Sequence, residues 1–213
     1  MEKSLDSELN HKEGENEEEV INLEENTKIL EEIKRGDFDH VNELTSLGND
    51  NEIAELLSKH EGPLYLGGLK SITDGQAELL SKHEEGLYER KLLPRQGGLD
   101  LSGLEFINDM QAEFLSKHEG DLDLSGLKSI TDEQAQSFSN RRGGCLYLDG
   151  LDSITDEQAK SLGSRSNYSV SLKGLASIND EQAEHLSKIT DLTVSKEVIE
   201  LIVSKKNKKP REI

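Results

Sequence analysis

The chain has 213 residues, 32% hydrophobic and 4% aromatic, and carries a formal net charge of −19. So acidic a body opposes binding to phosphate backbones, whose affinity rests on cationic contacts, and nucleic acid is not an expected partner. No apolar run approaches the roughly 20 residues that span a bilayer, the N-terminal stretch lacks a signal peptide's apolar region, and Cys145 alone forms no intrachain disulfide. A reducing cytoplasm is the expected location, with no membrane partner; export that needs no signal peptide stays open.

Residues 1–16 are polar and nearly devoid of apolar side chains, so they cannot offset the entropy of ordering, and a disordered acidic tail is expected. From Glu17, the spacing of Val20, Leu23, Leu30 and Ile33 predicts a helix that ends at Gly36, a suitable C′ residue. Phe38, Val41 and Leu44 predict a second short helix, and residues 17–48 together read as a helical N-terminal cap. The stretch from Asn49 to Gly62 matches the helical half of a repeat, with Ala54 placed 23 residues before Ala77.

A unit of 23 to 24 residues then recurs, beginning at Leu64, Leu99, Leu122, Leu146 and Val170. A period in this range signals a solenoid over residues 49–194, in which each copy hides its apolar face against the next. Each LxL triplet predicts a short strand and the tract that follows predicts a helix. Thr73, Asn108, Thr131, Thr155 and Asn179 stand at N-cap, and Gln76, Gln111, Gln134, Gln158 and Gln182 follow three residues later, the spacing of a capping box. His60, His83 and His118 recur after the helices, where C-terminal capping or solvent exposure is expected of them; Arg141, Arg165 and Ile189 hold the same slot later.

The period breaks once. Leu87, Tyr88 and Leu92 keep phase with Leu64, Tyr65 and Leu69, but the next strand begins only 12 residues on, at Leu99. The segment 87–98 reads either as a truncated rung that has lost its helix or as a surface loop. After Leu192, a last helix from Ser195 to Lys205 is expected to close the far end, and residues 195–213 finish in a basic tail containing Lys205, Lys206, Lys208, Lys209 and Arg211.

The tract LDLSGLKSITDEQA, Leu122 to Ala135, resembles the leucine-rich repeat, in particular its cysteine-containing and GALA-type bacterial variants. The resemblance covers roughly Asp50 to Lys205. It implies an α/β fold: a right-handed solenoid, or horseshoe, with short parallel strands on the concave face and helices on the convex face. Leu69, Leu104, Leu127, Leu151 and Leu175 replace the family's cysteine or asparagine, so the turn amides which that side chain would serve must find other partners. Gly68, Gly103, Gly126, Gly150 and Gly174, one residue earlier, suggest positive φ or close packing.

Alternation along the strands points the residues between the leucines away from the core. The candidate partner-binding residues are therefore Tyr65, Asp100, Asp121, Asp123, Tyr147, Asp149, Ser171 and Lys173. Carboxylates with tyrosines suit a basic protein ligand. No catalytic grouping, phosphate loop or zinc spacing is present in the sequence, so a non-enzymatic, monomeric binding module without metal or cofactor is the reading. The alternative is a bacterial effector that binds a host protein inside the host cell.

Overall fold

A computed structural model describes residues 24–49, 51–83, 98–164 and 169–206; the acidic segment 1–16, most of the ambiguous segment 87–98, Arg165 and the end of the basic tail lie outside the described residues. Helix α1 runs over 24–34, followed by a single 3₁₀ turn at Val41–Glu43 and helix α2 at Glu52–Ser58. Six strand-and-helix steps follow: β1 Leu64–Tyr65 and α3 Asp74–Leu80; β2 Leu99–Asp100 and α4 Asp109–Leu115; β3 Leu122–Asp123 and α5 Asp132–Phe138; β4 Cys145–Tyr147 and α6 Asp156–Leu162; β5 Ser169–Leu172 and α7 Asp180–Leu186; β6 Asp191–Val194 and α8 Lys196–Lys206.

The strands form one six-stranded sheet in the order β1-β2-β3-β4-β5-β6, every pair parallel. Each helix from α2 to α8 packs on its neighbours in the sequence, giving a solenoid-like α/β array. The leucines align in register, Leu64 to Leu99 to Leu122 to Leu146 to Val170 to Leu192. Leu64 and Leu99 are direct neighbours, and the Leu64 amide donates to the Gly98 carbonyl. That pairing leaves no place for a strand between β1 and β2.

The core is a column of repeated positions. Both strand leucines, the leucine that closes the turn, and the Ala and Leu or Phe of each helix are buried, as Leu122, Leu124, Leu127, Ala135 and Phe138 illustrate. The turn after each strand is closed by backbone: the amides of Leu69, Leu104, Leu127, Leu151 and Leu175 each donate to the carbonyl three residues back. The turn glycine answers to close approach rather than to φ: a Cβ on Gly126 would sit 2.2 Å from the Ser102 carbonyl oxygen, inside backbone that cannot swing away.

All five predicted capping boxes are present, with both reciprocal bonds. The glutamine goes further. Its Nε2 donates to the preceding unit: Gln111 to the Ile72 carbonyl, Gln134 to Ile107, Gln158 to Ile130 and Gln182 to Ile154, all within 2.8–2.9 Å. The N-cap side chain also reaches back, Asn108 to Asp74, Thr131 to Asp109, Thr155 to Asp132 and Asn179 to Asp156. A seven-residue helix is marginal alone in water, and these two ladders fasten each helix start to the one before.

The N-terminal region departs from expectation in one element. Gly36 does end α1, at φ 85, but the second predicted helix is only the 3₁₀ turn. Leu44 turns to extended backbone, and the side chain of Asn26 then takes the amides of Thr45 and Ser46 at 3.0 and 3.1 Å. Leu44 and Leu47 are buried and continue the core beyond β1.

Candidate functional site

The sheet face turned away from the helices is built by register. Tyr65, Asp100, Asp123, Tyr147, Ser171 and Thr193 stand side by side across the six strands, each between two core residues of its own strand. Adjacent parallel strands lie about 4.8 Å apart, so these side chains form a row of close neighbours. A shallow groove of about 410 Å³ runs along them, lined by Tyr65, Asp100, Asp121, Asp123, Tyr147, Asp149 and Lys173, with Pro63, Gly98 and Leu99.

Of the residues selected from sequence, Ser171 alone does not line the groove. It shares the face but is 1% exposed, and its hydroxyl donates to Asp149 Oδ1 at 2.6 Å. Its place is beneath the surface, holding Asp149 in position.

The aspartates have structural work that the sequence did not reveal. Asp100 Oδ1 accepts from the Ser102 amide and Asp123 Oδ1 from the Ser125 amide, at 2.9 and 2.8 Å, each closing the turn after its strand. Asp121 Oδ1 accepts from the Cys145 amide at 2.7 Å, and Asp149 Oδ1 from the Lys173 amide at 3.0 Å, each linking one unit to the next. The carboxylates are thereby fixed. Burial works against the charge on Asp149, but bonds from the Ser171 hydroxyl and Lys173 outweigh it and hold the carboxyl below its ordinary range.

Lys173 is the cation in the groove lining, with its Nζ 3.3 Å from Asp149 Oδ2. Tyr65 is 54% exposed at one end of the row. Cys145, half-buried beside the face, has its thiol pushed up by burial, with a hydrogen bond from Tyr147 in partial opposition. Among the described residues no group of three or more His, Cys, Asp or Glu is placed to hold a metal ion.

The recurring histidines correct the expectation of exposure. His83 and His118 are 2% and 1% exposed, their rings stacked 6.2 Å apart, and Arg141 in the next slot is fully buried. Ile189 already marked the slot as interior. His60 is half-buried against Phe38, ring centroids 4.4 Å apart.

The coordinates thus define a repeat protein of the α/β class, with an acidic, tyrosine-bearing sheet face. No family model, curated protein or solved structure matches the chain.

Proposed function

We propose that this chain is a non-enzymatic, protein-binding module of leucine-rich-repeat type, and that it takes a basic segment of its partner on the concave face of a right-handed solenoid. In this reading α1 and the turn after it cover one end of the stack, α8 covers the other, and the module acts as a monomer in the cytoplasm. One observation carries the proposal: four aspartates and two tyrosines, separate in the sequence, come together in one groove, and backbone hydrogen bonds hold the carboxylates in place.

Fixed carboxylates lose little freedom when a ligand arrives, which lowers the cost of association, and tyrosine offers large contact area with few rotatable bonds. The sign of the face selects a lysine- or arginine-rich partner and speeds encounter with it.

The test is affinity purification with wild-type chain and with Asp100→Asn plus Asp123→Asn. Asparagine keeps the Oδ1 acceptor for the Ser102 and Ser125 amides and removes only the charge, so thermal stability is expected to hold. Capture of basic partners should fall at least about tenfold, the equivalent of roughly 1.4 kcal/mol of lost binding. Equal capture by both chains would defeat the assignment of this face.

A further inference from the structure

His83 and His118 follow α3 and α4, on the segments that lead out of each helix. They lie flat against one another, 11° from parallel, between successive units. His83 Nε2 donates to the Gly62 carbonyl at 2.8 Å, which fixes its tautomer. Its Nδ1 and both ring nitrogens of His118 have no partner in good hydrogen-bond geometry among the described residues; the Ser58 backbone near His83, and the Ser81 and Asp121 backbones near His118, favour the protonated rings, but burial outweighs them. Arg141 follows in the column and donates to the carbonyls of Leu115, Gly120 and Gly143.

We propose that the His83–His118–Arg141 column is a proton-operated joint: proton uptake by its imidazoles in the mildly acidic range parts the units built on α3, α4 and α5 and slackens the sheet above them. The groups facing the pair are cationic or become so. Arg141 bears on His118 from the α5 side, the two histidines bear on each other, and His60 bears on His83 from the α2 side, with Glu61 acting on His60. A proton on His118 would therefore be a buried charge between like charges, which interiors do not tolerate.

Burial first, then the charges of Arg141 and His83, push the His118 imidazole down to about 4, and burial lowers His83 as well. In the unfolded chain an imidazole titrates near 6.5. Between those values the unfolded state binds a proton that the folded state refuses. The contribution of these imidazoles to stability is accordingly constant above pH 6.5, falls as pH drops through the window, and levels off below about 4; for His118 alone the full span is roughly a 300-fold change in the folding equilibrium.

Urea unfolding of the full chain at pH 7.5 and 5.0, beside His118→Ile, tests this, isoleucine being the residue the slot holds at position 189. Wild type is expected to lose roughly 30-fold or more in folding equilibrium between the two pH values, and the variant at least tenfold less. Hydrogen exchange at pH 5.0 should show the loosening first in α3 to α5. Should the variant fail to fold, the wild type decides: a His118 ring signal still neutral in the closed fold at pH 5.5, together with protection from hydrogen exchange that falls between pH 7.5 and 5.5 in α3 to α5 and holds in the other helices, supports the joint. A His118 ring that titrates near 6.5 in the intact fold, an equal pH response in both chains, or loosening spread evenly along the sheet overturns it.

Discussion

At Gln134 the carboxamide is used at both ends. Its oxygen accepts from the Thr131 amide at 3.0 Å and its nitrogen donates to the Ile107 carbonyl at 2.9 Å, with the side chain 4% exposed. Capping-box spacing made the first bond legible in the sequence. The second was not, because spacing within one unit says nothing of which carbonyl of the preceding unit comes within reach. Gln134→Glu separates the two: glutamate serves a capping box as well as glutamine but turns a carboxylate towards the Ile107 carbonyl. The substitution is expected to cost at least about 1 kcal/mol in urea unfolding; unchanged stability would show that the bond between units contributes nothing. The aspartates of the sheet face teach the same lesson, since alternation predicted their direction but not the amides they hold. The burial of His83 was misread because histidine near a helix end is so often exposed.

Helices of seven residues persist here because their starts are capped and their inner face is alanine and leucine. The sequence located α3 to α7 through signals lying within one turn, and α8 to within a residue. The second N-terminal helix was predicted wrongly: the spacing of Phe38, Val41 and Leu44 met helical periodicity, but Asn26, distant in sequence, secures the extended alternative. One element breaks the pattern of its siblings. Around α4, Phe106 and Met110 are 72% and 54% exposed where the next unit has Ser129 and Glu133. Replacing them by those residues, Phe106→Ser with Met110→Glu, removes apolar surface already in water and should change stability by no more than about 0.5 kcal/mol in thermal or urea unfolding. A larger loss would show that both side chains pack in solution.

For the molecule as a whole, charge works against the stack. Repulsion within a chain of net charge −19 acts across many neighbouring units, whereas the Lys59–Glu55, Lys82–Glu78 and Lys117–Glu113 pairs are exposed and individually weak. Salt screens both, and the repulsion is the larger. Raising NaCl from about 10 mM to about 300 mM, which shortens the screening length from roughly 30 Å to under 8 Å, is therefore expected to raise the melting temperature; a fall would mean that the pairs dominate. The stacking of the array followed from the period and its parallel order from what the resemblance implies, but the neighbour relation of Leu64 and Leu99 did not follow from either, since counting could not say whether the added residues formed a rung.

That neighbour relation sets the rule by which such a protein can change. Most strands find their partner after 23 or 24 residues, and one does so after 35, yet the leucine register is the same. Return-path length is therefore decoupled from ladder geometry. Copies can be gained or lost, and the stretch between two strands lengthened, without retuning the rest, each whole copy extending the row of sheet-face side chains by about one strand spacing.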